Sequence, residues 1–401
     1  MKILHISQYF SNNMGYQENI LPYYQSRLGH EVVIICSNYS DTFAANRINN
    51  IGESLENGVK IIRLPIIGEF KGRFVLFKNL LEYIEKEEPE YIYHYSATVP
   101  SIKDIAKYKQ SHPNTFIAVD NHGDLNNSGK NMLWRVLYYK FFWHNFIKKY
   151  DKGIDVYFGA SPNRCLFLEE ELGVCKEKIR LLPIGCDTEQ AQVSISREDF
   201  FKKYSIDNQK FIITHGGKIT PEKEVGKILE AFSRIKAQDI CLVLFGRISD
   251  PKVQRLIEKD ARIKYIGWMD RTDTLALLKY SDLGIWHKLH TTLIEDAVAA
   301  GLPLILRYNG NTSHLVSNSG MFLYEGSVRE IQDKLGYMIN NREVVKAFRQ
   351  NSKDLLKILS YNNIAQECLD YMKDLSPKLS HRTFMTNEYT DFDYEKLRYI
   401  K

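Results

Sequence analysis

The feature that most constrains this chain is a recurrence of short, nearly uninterrupted apolar runs separated by polar or helix-patterned stretches. A first series occupies residues 2–7, 31–36, 60–64, 91–94, 115–120 and 156–161; a second occupies 211–214, 240–245, 263–266, 283–286 and 303–306. A strand with one wet face alternates apolar and polar side chains, whereas a continuous run means that both faces are covered. Such strands, alternating with amphipathic helices, predict parallel sheets sandwiched between helices, and two series predict two of them. The fold class is therefore α/β, with two Rossmann-like domains.

At 401 residues the chain can bury two cores without staples. Residues 1–187 read as the first domain, 188–207 as a polar hinge or linker and 208–374 as the second domain. Residues 375–401 read as a tail rich in Tyr and charge, either a brace on the N-terminal domain or a free end. The 54 Lys and Arg against 49 Asp and Glu give +5, too small an excess to demand nucleic acid, and no aromatic-glycine RNA-binding signature accompanies it. Six cysteines without C-x-x-C spacing read as reduced thiols. The start lacks the apolar core of a leader, and no run is long enough to span a bilayer. A cytoplasmic protein is expected, with peripheral contact at the inner face of the membrane left open.

Two segments of the second series suit an anion. His215-Gly216-Gly217-Lys218-Ile219-Thr220-Pro221-Glu222-Lys223 follows the 211–214 run and precedes an amphipathic helix. Its glycines let backbone approach a ligand, and Lys218 and Lys223 can converge on one diphosphate; a glycine-rich turn with solvated lysines is the plainer alternative. In Thr291-Thr292-Leu293-Ile294-Glu295-Asp296-Ala297 a threonine can cap a helix, and Glu295 can accept hydrogen bonds from ribose hydroxyls or merely complement the helix dipole. In the first series, Gly15 follows the first run, and His122, in Asp120-Asn121-His122-Gly123-Asp124, can donate to a substrate oxygen or be structural.

Residues 131–150 are aromatic and basic. At 100° per residue Met132, Val136, Tyr139, Trp143, Phe146 and Ile147 share a face that should be core. Leu133, Trp134, Leu137, Tyr138 and Phe141, interleaved with Arg135, Lys140 and Lys148, form a second face for a membrane, a lipid-linked acceptor or a neighbouring helix. Asp391-Phe392-Asp393 imitates a metal-binding Asp-x-Asp but sits in the irregular tail and is rejected as a metal site. No phosphate-binding G-x-x-x-x-G-K-[ST], dinucleotide G-x-G-x-x-G or G-x-S-x-G occurs.

In order along about residues 1–372, the Gly15 loop, Leu28-Gly29-His30-Glu31-Val32, the His122 loop, Ile179 to Asp187, Gly217-Lys218 with Lys223, Phe245-Gly246, Tyr265-Ile266-Gly267 and Glu295-Asp296-Ala297 through Pro303 resemble the GT-B glycosyltransferases, specifically retaining glycosyltransferase family 4. The resemblance implies two Rossmann-like domains facing across a cleft, a nucleoside-diphosphate sugar on the C-terminal domain, with uridine diphosphate expected, and a saccharide or lipid-linked acceptor on the N-terminal one. It implies that Lys218 and Lys223 hold the diphosphate, Glu295 the ribose, Gly15 the approach near the phosphate, and His122 the transferred hexosyl or N-acetylhexosaminyl group. Thr291, Thr292 and Gly217 join the donor side. No metal and no cofactor are implied, and the setting is surface-polysaccharide synthesis. The chain departs from the family pattern at His287, where an acid precedes Glu295 by eight residues, at His290 in place of a glycine, at Ile184 and at Met14. A non-catalytic nucleotide-sugar-binding subunit and a sugar-nucleotide epimerase are the rival readings.

Overall fold

The structure is a computed structural model, and it describes residues 1–39, 50–70, 72–129 and 131–376. Among the described residues it divides into two compact units, Met1–Gly185 joined by residues 361–376, and Cys186–Ser360.

The N-terminal unit is built on an eight-stranded sheet with strands β1 (Lys2–Ser7), β2 (Glu31–Ser37), β3 (Gly52–Glu56), β4 (Val59–Leu64), β7 (Tyr91–His94), β8 (Phe116–Asn121), β9 (Val156–Gly159) and β10 (Ile179–Leu181); β5 (Ile66–Phe70) and β6 (Phe74–Phe77) form a separate hairpin. The order is β10-β9-β8-β7-β1-β2-β4-β3, parallel except for the β3–β4 pair. Successive residues of β1 and β2 enter opposite cores, Leu4, Ile6, Val33 and Ile35 on one face and Ile3, Val32 and Ile34 on the other. That double burial is why the strands read as continuous apolar runs.

The second unit is a six-stranded parallel sheet of β11 (Phe211–Gly216), β12 (Ile240–Phe245), β13 (Ile263–Tyr265), β14 (Leu283–Trp286), β15 (Leu304–Arg307) and β16 (Gly320–Leu323), in the order β13-β12-β11-β14-β15-β16. The chain builds outward from β11 in one direction and then, from β14, in the other. The loops leaving β11 and β14 thus diverge at a switch point, where a parallel sheet leaves a crevice. Ser327 caps the Val328–Asn340 helix by accepting from Glu330 N–H, while the Glu330 carboxylate reaches back to the amides of Tyr324, Glu325 and Gly326.

Three expectations change. Residues 188–207 are not a free linker: Ala191, Phe200 and Phe201 are buried in the second unit's core, because two adjacent aromatics on a short helix, Arg197–Lys203, need cover. Residues 361–374 do not belong to the second domain. The Tyr361–Asp370 helix packs on the first unit, with Tyr361 stacked on Tyr24 at 5.8 Å and Tyr91 Oη donating to the Cys368 carbonyl at 3.1 Å. Third, residues 131–150 do not follow a single α-helical period. Arg135–Trp143 is a π-helix, flanked by Met132–Trp134 and His144–Tyr150. Its wider turn swings Met132 and Val136 into solvent while Tyr139, Trp143 and Ile147 stay in the core.

Among the described residues the cysteines are free and all but Cys175 are buried, and no helix is long and apolar enough to cross a membrane. Most of the tail, 377–401, with its Asp391-Phe392-Asp393, lies outside the described residues.

Candidate functional site

The carboxyl ends of β11, β12 and β13 each turn through a glycine in the left-handed region: Gly217 at φ +111°, Gly246 at +100° and Gly267 at +77°. The turns are locked to one another, Gly217 N–H donating to Phe245 O at 3.2 Å and Gly246 N–H to Gly267 O at 2.7 Å. A side chain on Gly246 would run into the Gly217 carbonyl. At Gly217 a Cβ would press on Leu293 Cδ1 at 3.3 Å and would be framed by function-bearing atoms. A Cβ there would lie 3.5 Å from Lys223 Nζ and 3.9 Å from Thr291 Oγ1. Residues from the β11 and β14 loops therefore converge on one point at the switch, which the sequence could suggest only as two separate segments. Lys223 is half-buried, and burial, reinforced by the nearby Lys218 charge, lowers its pKa. Lys218 is exposed on the rim.

The β14 loop carries the unusual chemistry. Glu295 is buried in the first turn of the Leu293–Ala299 helix, and its Oε1 accepts from His290 Nε2 at 2.7 Å; its Oε2 is buried with no partner. Burial pushes this carboxyl up, but the His290 charge and hydrogen bond outweigh it and hold the pKa below the ordinary value. His287 is buried with neither ring nitrogen partnered, and burial, with the adjacent His215 adding, lowers its pKa to about 3, so the ring is neutral. Lys288 pairs with Glu224, tying the β14 loop to the turn after β11. Thr292 stands at the helix start but has helical backbone angles, φ −60° and ψ −13°; a cap needs extended ones, so no side-chain cap bond forms and the hydroxyl faces solvent.

A cavity of about 710 Å³ opens beside these groups, lined by Gly217, Lys218, Thr220, Phe245, Gly246, Arg247, Ser249, Trp268, Met269, Thr274 and Leu293. Arg247 and Trp268 were not singled out from the sequence. Each directly follows a left-handed glycine at a strand's carboxyl end, and that position was the available signal. Trp268 is 77% exposed, an indole face held open at the cavity wall.

In the N-terminal unit, Gly15 sits in the loop after β1 with φ outside the left-handed region, so its conformation does not require glycine. His122 follows β8. Its Nε2 lies 3.0 Å from Asp120 Oδ2, which also accepts from Tyr93 Oη at 3.0 Å, and Gln17 Nε2 donates to that hydroxyl at 3.1 Å. With Nε2–H directed at the carboxylate, the neutral ring presents Nδ1 outward as an acceptor; it donates from Nδ1 only when both nitrogens carry protons. The expectation of a donating His122 holds only for that second form. The loop is stiff: Asp124 Oδ1 accepts from Asn126 and Asn127 N–H, and Asn127 Nδ2 donates to His122 O at 2.9 Å. Among the described residues no group of three or more His, Cys, Asp or Glu side chains is placed to hold a metal ion.

Residues 196–355 match the family model described as glycosyl transferases group 1. Alpha-monoglucosyldiacylglycerol synthase from Acholeplasma laidlawii is 22% identical over 191 residues, 44% of this chain; the chain spans 46% of that relative's length. Among solved structures, Anabaena HepE in complex with UDP and glucose superposes with a TM-score of 0.66 at 14% identity, covering 93% of this chain and 99% of HepE. A glycosyltransferase from Rickettsia africae gives 0.66 at 15%, covering 94% and 99%. Likeness at this identity establishes the fold, the two-unit GT-B architecture expected from the sequence.

Proposed function

We propose that this chain is a retaining glycosyltransferase that moves a sugar, hexosyl or N-acetylhexosaminyl, from a nucleoside-diphosphate donor to a saccharide or lipid-linked acceptor. The observation that carries the reading is the convergence of Gly217, Lys223 and Thr291 at the switch point of the second sheet, on the rim of a cavity with Arg247 and Trp268 in its walls. Backbone without a side chain, two lysines and a hydroxyl suit a diphosphate, an exposed indole suits a nucleobase, and a buried carboxylate oxygen without a partner suits a ribose hydroxyl. The glycosyl transferases group 1 match and the UDP held by HepE favour the same donor class, with uridine as the base.

In the reaction the anomeric carbon loses its bond to the diphosphate oxygen and gains one to the acceptor oxygen on the same face. The acceptor proton passes to the departing phosphate. Lys223, partly stripped of water, and Lys218 stabilise the negative charge that grows there, so the chain's own cations suffice without a metal. His122, steadied by Asp120, serves the acceptor side. Surface-polysaccharide synthesis at the cytoplasmic face, with residues 131–150 near the membrane, is the setting this chemistry fits.

The test is thermal stabilisation by uridine, guanosine, cytidine, adenosine and thymidine diphosphates, followed by acceptor-dependent release of the chosen nucleotide from its sugar forms. A ligand at 100 times its dissociation constant adds about 2.7 kcal/mol, and UDP is expected to give that shift. Lys223→Ala should weaken UDP about 10- to 100-fold, the range of a charge-assisted contact. Binding without release in the presence of acceptors would favour the non-catalytic reading, and no shift with any nucleotide would remove the donor site.

A further inference from the structure

The N-terminal unit holds a groove of about 820 Å³ that the donor chemistry does not use. Its apolar walls are Phe70 from the β5–β6 hairpin and Leu133, Leu137 and Phe142 from the segment around the π-helix. These are not core residues: Leu133 is 69%, Leu137 57% and Phe142 51% exposed, and Met132 and Phe141 beside them are 79% and 68% exposed. Exposed apolar side chains that lie together around one groove, rather than scattered singly over the surface, mark a binding surface. The π-helix Arg135–Trp143 carries Leu137 and Phe142 of this wall while its Tyr139 and Trp143 stay in the core.

Two further features define what the groove accepts. Arg73 lies at its edge with its guanidinium 4.6 Å from the Trp134 ring and 5.5 Å from that of Tyr138, and it has no carboxylate partner among the described residues. A cation held by stacking alone retains its hydrogen bonds for an anion. Asn127, also in the lining, donates to the His122 carbonyl, so the groove ends on the loop that carries the acceptor-side histidine.

We infer that this groove seats the hydrocarbon chain of an amphiphilic acceptor, with an anionic group of its head at Arg73 and the hydroxyl-bearing end toward the His122 loop. The inference rests on the glycosyltransferase reading and names its acceptor class.

The experiment is a calorimetric titration with dodecyl phosphate below its micelle concentration and without nucleotide, using the full chain. The wild type is expected to bind one molecule saturably and to ignore inorganic phosphate. Leu137→Asp, at an exposed position that folding does not depend on, should weaken binding at least about tenfold, the effect of placing a charge against the chain. Arg73→Gln should weaken dodecyl phosphate about tenfold, as loss of a charge-assisted contact does, while leaving the neutral-headed dodecyl maltoside unchanged. UDP binding, measured on the same proteins, should be unaffected by either change; if UDP fails to bind even the wild type while dodecyl phosphate binds, the donor reading fails and the groove stands. Absence of saturable binding by the single chain, or equal binding by Leu137→Asp, overturns the inference. Two other outcomes overturn it too. Sedimentation with phosphatidylglycerol vesicles without single-chain binding would make the face a bilayer contact. A wild-type dimer that Leu137→Asp converts to monomer would make it an interface between copies.

Discussion

His290 occupies Oε1 of Glu295 at 2.7 Å and leaves Oε2 without a partner, so a ribose hydroxyl that also takes Oε1 must share it with, or displace, an imidazole. The consequence is a residue-level trade between stability and affinity. His290→Gly is expected to tighten UDP several-fold by freeing Oε1, and to destabilise the nucleotide-free protein by about 1–3 kcal/mol, because a buried carboxylate oxygen loses its partner. Titration calorimetry and a thermal melt on the same preparation read both effects. Unchanged affinity would mean that the ribose does not use Oε1. Of the positions at this site, Glu295, Lys218 and Lys223 were legible as residue types in a strand-loop-helix setting. The His290–Glu295 pair was not: a spacing of five residues places the partners together only because the loop folds back onto the helix start.

At the scale of elements the strands were the most readable, since a strand covered on both faces cannot be polar. The antiparallel β3 was missed because an exposed strand such as Gly52–Glu56 shows no such run, and the β5–β6 hairpin was missed as well, its second strand a run of only four residues. The segment around Arg135–Trp143 was read with the wrong period, and the error is testable. Trp143 is fully buried, meeting Phe74, Tyr138 and Phe146 at ring-centroid distances of 5.2–6.0 Å. Trp143→Ala should cost about 3–5 kcal/mol in chemical denaturation. Met132→Ser and Phe141→Ser should each stay within about 0.5 kcal/mol of wild type, as surface changes do. A uniform α-helical face would make Met132→Ser costly as well, and a loss of several kcal/mol there would refute the π-helical register.

At the scale of the whole molecule, His5, His94, His215 and His287 are buried among the described residues and held as neutral rings. His5 and His94 in the first unit and His215 in the second have pKa values lowered to about 4 by burial, and His287 to about 3. Each takes up a proton near pH 6.5 when unfolded but not when folded. Their contribution to stability is thus complete above pH 6.5 and is lost as the pH falls toward 4 and then 3, at up to roughly 1.4 kcal/mol per pH unit for each group. Melting temperatures should decline steadily from pH 6.5 to 4, and His94→Gln should flatten the decline. A melting temperature constant between pH 6.5 and 5 would show that these rings are not held neutral.

The sequence by itself determined that there are two parallel-sheet units and where most of their strands lie, because burial on both faces of a sheet leaves an apolar signature that is local and cannot be hidden. It also marked the loops after 211–214 and 283–286 as anion-friendly, because glycine, lysine and threonine declare their chemistry one at a time. Only the tertiary structure decided that Lys223 and Thr291 meet over Gly217, that Phe200 and Phe201 make the supposed linker part of a core, and that the Tyr361–Asp370 helix covers the first sheet. The physical reason is the same in each case. An amphipathic helix or a polar loop specifies which of its faces needs a partner, but which partner it meets is set by packing among residues far apart in the chain.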